Sequence, residues 1–234
     1  IALSGNVMSN IDNLEPSPNS EKYIENLERR ILYDTKSREQ GQAATELLIE
    51  LSNLQLDLNV LDLASGSGVP ALAIASIIGS GGHVTATDQS AGSLELAKAE
   101  AKTIGLTNLS FEATSAQSLP FDDETFDLVT CRMGMMFFPE PVEALNEVNR
   151  VLKIGGKFVS IVQGSEQRSL WQSSLLEPFR KYISVPVPGP DDIHPLRFAE
   201  PGSLQDTFEK AGFAHIQEKY LDVPWPWHGT PEEI

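Results

Sequence analysis

The sequence predicts an α/β protein built on a doubly wound, mainly parallel sheet flanked by helices, and three observations carry that reading. Between residues 59 and 162, short apolar runs rich in β-branched residues alternate with helical segments. Strands separated by helices of about 10–15 residues form βαβ units, which require parallel strands with helices on both faces. The first run passes into a loop of small residues, VLDLASGSG at 60–68, and then into an apolar helix. That strand–loop–helix turn presents bare backbone amides and a helix N-terminus to a ligand. Finally, 234 residues with 41% hydrophobic side chains suffice for one self-supporting core. A chain of this size buries roughly 70–75% of its extended surface and needs no metal or disulfide staple.

Each element can be justified in order. Residues 1–18 read as a polar leader broken by Pro16 and Pro18, and the opening Ile points to a trimmed chain. Helices follow within 19–55. Ile24, Leu27 and Ile31 share a face of the first, and Ala44, Leu47, Leu48, Leu51 and Leu54 share a face of the second. The patterning then predicts strands at 59–64, 83–87, 109–113, 126–131 and 156–162. Helices fall between them at 69–78, at 90–104 with Gly105 as its C-cap, and at 141–152 with proline in its first turn. Residues 164–201 hold six prolines and interrupt the alternation, as an insertion between sheet elements would. A helix resumes at 203–211, with Ser203 and Asp206 at capping-box spacing, and 213–220 reads as a sixth strand.

Charge narrows the function classes. Thirty-three acidic and 17 basic residues leave a formal charge of −16. Such a surface repels phosphate backbones and anionic lipid, so the expected partner is a small molecule, with no nucleic acid and no stable membrane association. The longest apolar stretch, about ten residues at 69–78, is too short to cross a bilayer. Cys131 is the sole cysteine and cannot form an internal disulfide, and no basic-then-apolar leader opens the chain. Both point to the cytoplasm. The oligomeric state stays open.

The sharpest chemical signal is the Gly loop. Gly66 and Gly68 allow torsions and close approaches that a Cβ would block, and Asp62 closes the strand where a carboxylate meets a cationic ligand group. The segment 66–71 also satisfies G-x-G-x-x-A, so a dinucleotide is an alternative ligand. Asp88 ends the next strand, 22 residues after Gly66, where a carboxylate takes both hydroxyls of a ribose. Its structural alternative is to cap the following helix.

Three further segments separate these ligands: SAQSLPF at 115–121, DDETFDLV at 122–129 and LKIGGKF at 152–158. Together with the Gly loop, in this order and spacing over roughly residues 40–163, they resemble class I S-adenosylmethionine-dependent methyltransferases. The resemblance is nearest to the ubiquinone/menaquinone-type and small-molecule methyltransferases. It implies a Rossmann-like methyltransferase fold and S-adenosyl-L-methionine as cofactor. By the same resemblance Asp62, Ala64, Ser65, Gly66 and Gly68 hold the methionine part, Asp88 and Gln89 the ribose, and Ser115 and Ala116 the adenine. Arg132 and Met133, just after the fourth strand, would line the cleft shared with substrate. Two positions depart from the family pattern. Ala64 stands for the first loop glycine, a change that a β-region backbone would tolerate, and Ser115 replaces the acid usually facing the adenine amino group.

Methyl transfer by in-line displacement needs positioning and a dry cleft more than acid–base machinery. An oxygen acceptor would also want a base, for which His194 and His228 are the candidates because both lie on segments that cover the cleft in this family. Met133, Met136, Trp171 and Arg197 are the candidate acceptor contacts, with 164–201 as a lid over an apolar, aromatic or polyketide-like molecule and Arg197 or His194 at its polar end. No metal is expected. The implied organisation is one methyltransferase domain over 1–234, with N-terminal helices at 19–55, a cofactor-binding core at 56–163, the lid at 164–201 and a final helix and strand at 202–234. The alternatives are a non-catalytic nucleoside-binding protein of the same fold and an NAD(P)-dependent oxidoreductase. A seven-stranded sheet of this kind would need a further strand between the fifth and the sixth, so the expectation is a C-terminus that is incomplete at Ile234.

Overall fold

The computed structural model describes residues 39–165 and 192–224, together with positions 178 and 182. Its five strands are β1 (Asn59–Leu63), β2 (His83–Asp88), β3 (Leu109–Ala113), β4 (Phe126–Arg132) and β5 (Leu152–Ile161). All pair in parallel, in the order β3-β2-β1-β4-β5. The helices are α1 (Gln42–Ser52), α2 (Val69–Ile78), α3 (Ala91–Thr103), α4 (Pro141–Val151) and α5 (Ser203–Lys210). The elements from Gln42 onward belong to one compact unit, Gln42–Trp225. No helix among the described residues is long and apolar enough to cross a membrane.

The period-two alternation of the central strands sorts the core into two layers. Val60 and Leu128 face one side and pack with Leu48 of α1 and Ala71, Ile74 and Ile78 of α2. Leu61, Leu63, Val129 and Cys131 face the other side, with Leu145 and Val148 of α4 and Phe208 of α5. Helices cover both faces, so both registers of β1 are buried and only Asn59 at its entry is half-buried. The strand order reverses between β1 and β4, and there the carboxyl ends of neighbouring strands open a crevice.

Several local expectations change. β5 starts four residues early, at Leu152, which pairs with Phe126 before the ladder resumes at Leu128 and Lys157. Residues 153–156 bow out between these pairs on Gly155, at φ 81°, and leave Ile154 90% exposed. Ile104 is the C-cap of α3, and Gly105 (φ 75°) follows it. Leu106 N then donates to Ala101 O and Gly105 N to Lys102 O, which satisfies the last carbonyls. The capping box of α5 does not form. Gly202, with φ 86°, is the N-cap, and the Ser203 hydroxyl turns back to donate to Glu200 O at 2.7 Å.

The sixth strand expected at 213–220 does not form. Residues 213–220 form no ladder: among the described residues β5 pairs only with β4. Side chains hold it instead. Phe213 packs on Phe158 and Phe208, with ring centroids at 6.2 and 5.2 Å. Glu218 accepts from Gln205 N at the start of α5, and the Tyr220 hydroxyl donates to Glu218. Trp171 and His228 lie outside the described residues, as does most of the 164–201 insertion. Phe198, which falls within the expected lid at 164–201, is buried in the core with Phe138 and Leu145, so its ring has no surface to offer a ligand.

Candidate functional site

The turn after β1 is built from small residues because three left-handed positions, Ala64, Gly66 and Gly68, and one close contact define it. Ser65 N donates to Thr87 O at 2.9 Å, which ties the loop to β2. Ala64, at φ 51°, is left-handed and not β-region as its small size suggested. The conformation that a glycine adopts freely is therefore held here by a residue that resists it. Gly66 (φ 55°) has open space where a Cβ would project, whereas a Cβ on Gly68 would sit 2.7 Å from Ala97 Cβ. Gly66 thus leaves room for a ligand, and Gly68 lets α2 and α3 approach.

Asp62 lies beneath this loop, fully buried at the β1–β4 seam. Its Oδ1 accepts from the Thr130 hydroxyl at 2.7 Å, while Oδ2 has no hydrogen-bond partner. Burial pushes its pKa up to about 6, against the Thr130 hydrogen bond, the nearby Ser65 hydroxyl (which donates to Asp62 O at 2.8 Å) and Arg132, with Asp88 adding to the rise. Burial likewise draws half-buried Arg132 down from its ordinary value, opposed by Asp62. Cys131 behind them is buried and pushed up to about 12, which makes it an inert apolar filler. A buried carboxylate oxygen without a partner is costly, and a cationic group at the loop would satisfy it. The ammonium of S-adenosylmethionine is such a group, so the residues present fit the cofactor.

Asp88 serves the loop as well as facing the crevice. Its Oδ2 accepts from Gly66 N at 2.9 Å and its Oδ1 from Ser90 N at 2.8 Å. Ser90, not Asp88, caps α3 by accepting from Ser93 N. An ionised carboxylate has about four lone-pair sites, so two amide bonds leave capacity for ribose hydroxyls. Gln89 is exposed beside it. Thr114 N donates to Asp88 O at 3.1 Å, which brings Ser115 to the same end of the sheet. The Ser115 hydroxyl donates to the Gln117 side-chain oxygen and accepts from Gln117 N at 3.3 Å, which leaves it one further lone pair, while Ala116 is buried in the core.

The exit of β4 forms the opposite wall. Met133 is left-handed at φ 58° and half-buried, with its amide held on Ile161 O at 2.7 Å. Gly134 follows, where a Cβ would stand 2.5 Å from Ala64 Cβ and 2.8 Å from Cys131 Sγ. The two strained turns therefore pack against each other across the seam. Met136, expected to contact the acceptor, is 1% exposed and belongs to the core, because the 3-10 turn Met135–Phe137 rolls it inward. The same turn leaves Phe137 49% exposed, a side chain that periodicity could not have distinguished from its neighbours.

Arg197 and His194 are committed to backbone. The Arg197 guanidinium donates to Phe138 O at 2.6 Å and to Pro139 O at 3.4 Å, binding 192–200 to the segment after β4. His194 Nδ1 accepts from Leu196 N at 3.2 Å. In the neutral ring the proton then resides on Nε2, which makes the outward nitrogen a donor.

Comparison with known proteins gives a consistent picture. A family model described as a methyltransferase domain matches residues 54–181. The demethylmenaquinone methyltransferase of Listeria welshimeri is 30% identical over 176 residues, covering 75% of this chain and 73% of that protein. A SAM-dependent methyltransferase from Aquifex aeolicus superimposes with a TM-score of 0.59 over 79% of this chain and 87% of its own, at 20% identity, a likeness of fold alone. The YcgJ protein of Bacillus subtilis gives 0.56 over 73% and 68%, at 27% identity.

Proposed function

Because the chain belongs to the class I S-adenosylmethionine-dependent methyltransferases, we propose that it methylates a small, largely apolar acceptor by in-line displacement. The cofactor, when bound, supplies an electrophilic methyl on a sulfonium centre. The chain's own work is to hold and orient. Asp62, with Ala64, Ser65, Gly66 and Gly68 around it, takes the methionine end. Asp88 and Gln89 take the ribose, Ser115 and Ala116 the adenine, and Arg132 and Met133 line the wall towards the acceptor. The observation that carries this reading is the buried Asp62 Oδ2 with no partner of its own beneath the Gly loop. The dinucleotide alternative raised by G-x-G-x-x-A falls with the family assignment, and a pyrophosphate above Asp62 would also meet repulsion.

The acceptor is read from chemistry and kinship. Met133 and Phe137 supply an apolar rim at the β4 exit. The Listeria relative is named for demethylmenaquinone, so a flat, hydroxylated or quinonoid ring is the acceptor class we favour. His194 then serves as a hydrogen-bond donor to an acceptor oxygen through Nε2–H and not as its base.

Calorimetry with S-adenosylhomocysteine tests the cofactor half, and turnover on a panel of hydroxylated naphthoquinols and phenols tests the acceptor half. Asp88→Ala removes two charge-assisted ribose bonds and the loop's anchor at Gly66, so affinity should fall by roughly a hundredfold or more, about 3 kcal/mol. Unchanged affinity in that variant would remove Asp88 from the ribose site.

A further inference from the structure

Arg150, near the end of α4, makes five hydrogen bonds. Its Nε and one terminal nitrogen grip both oxygens of Glu147, each at 2.8 Å. The remaining bonds reach Phe121 O at 2.7 Å, Leu119 O at 3.0 Å and Asp123 Oδ1 at 2.8 Å. Glu147 in turn accepts from Leu119 N at 2.9 Å, and Arg150 beside it holds its carboxyl below the ordinary carboxylate range. One fork of charge thus takes up both the amide and the carbonyl of Leu119. The pair is only partly exposed, with side chains at 31% and 24%.

The stretch so gripped is the far end of the loop that begins at Ser115. At its near end Thr114 N is fixed to Asp88 O, and the turn is closed by Ser118 N on Ser115 O and by the Thr114 hydroxyl on Ser118 O. Between the anchors Ala116 and Leu119 are buried in the core. The loop is therefore pinned at β2 on one side and at α4 on the other. We infer that Arg150 and Glu147 are positioning residues for the adenine end of the cofactor site: by holding 119–123 on α4 they set where Ser115 and Ala116 stand. This rests on the reading that those two residues meet the adenine. A neutral hydroxyl acceptor is weaker than a carboxylate and directional, so its placement matters more.

The test compares S-adenosylhomocysteine with S-inosylhomocysteine, in which a keto oxygen replaces the adenine amino group. Calorimetry gives both dissociation constants for the wild type, Arg150→Ala, Arg150→Lys and Glu147→Gln, and a thermal melt accompanies each. The wild type should prefer the adenine form. Arg150→Ala should weaken S-adenosylhomocysteine by roughly tenfold and bring the two constants towards equality, with Arg150→Lys in between because an ammonium cannot span the fork. A residue that merely stabilises the fold would lower the melting temperature and leave the ratio at its wild-type value, and that outcome overturns the inference. If Arg150→Ala does not fold, Glu147→Gln keeps the volume, loses the charge and carries the same comparison. A wild type that binds both ligands equally overturns the adenine assignment of Ser115 and Ala116 and the inference with it. A wild type that binds neither overturns the cofactor site itself.

Discussion

With a pKa near 6 in the fold and an ordinary value of 3.8, Asp62 takes up a proton more readily folded than unfolded. Stability therefore falls as pH rises from about 3.8 to about 6, and the loss persists above that window. Two pKa units correspond to on the order of 2–3 kcal/mol. Asp62→Asn should raise the free energy of unfolding at pH 8 by roughly 1–2 kcal/mol, read from chemical denaturation, while weakening S-adenosylhomocysteine. In the wild type that affinity should decline as pH drops below 6, since the proton competes with the ammonium for the same carboxylate, whereas the variant should be flat between pH 5 and 7. A variant less stable than wild type at pH 8 would contradict the burial argument. Two residues on, Ala64 at φ 51° holds a conformation that costs a Cβ about 1–2 kcal/mol. Ala64→Gly gives back part of this as unfolded-state freedom, so its net gain should be below about 1 kcal/mol in urea unfolding. Loss of stability in that variant would mean that the alanine methyl packs to greater effect than its strain.

At the scale of elements, the turns after β1 and β4 depend on each other, and Arg197 binds the latter to the 192–200 segment. Removing that tie strands the Phe138 and Pro139 carbonyls, so Arg197→Ala should lose about 1–2 kcal/mol of stability in chemical unfolding. S-adenosylhomocysteine affinity should stay within about twofold, because the guanidinium is bonded to the Phe138 and Pro139 carbonyls; a tenfold loss would place Arg197 in the cofactor site. Strands and helices of the core were legible in the sequence because apolar residues dominate them: NVLDL and FDLVTC are largely buried on both faces, and VPALAIASII is all but fully apolar. What could not be read is torsion. Nothing marks Ala64 or Met133 as left-handed when neither is glycine or asparagine, and a serine at the start of α5 looks like a cap until its hydroxyl is seen to turn back. The positions of Asp62 and Asp88 were legible because each ends a strand at a Gly loop. Their second duties, an orphaned oxygen and a hold on Gly66, depend on contacts 22 to 68 residues apart in the chain.

In the whole molecule the sheet is ordered from β3 to β5, with its crevice where β1 meets β4, and the proposed cofactor site lies at that reversal. The five parallel strands were predictable as a set, since each βαβ unit leaves only one handed way to return to the sheet. The sixth strand was not. Phe213 to Tyr220 reads as a strand, but a ladder needs a neighbour as well as a pattern, and the described residues pair none with it. The segment is held by ring packing, and this has a kinetic consequence. Phe213 N donates to Phe208 O, yet no amide from 214 to 220 has a backbone acceptor among the described residues. Packed side chains restrain position without shielding N–H groups, so deuterium should enter these seven amides at rates close to those of an open chain while the amides of β1 and β4 stay protected until the whole sheet opens. Slow labelling along 214–220 would reveal a partner strand that the aromatic contacts alone do not supply.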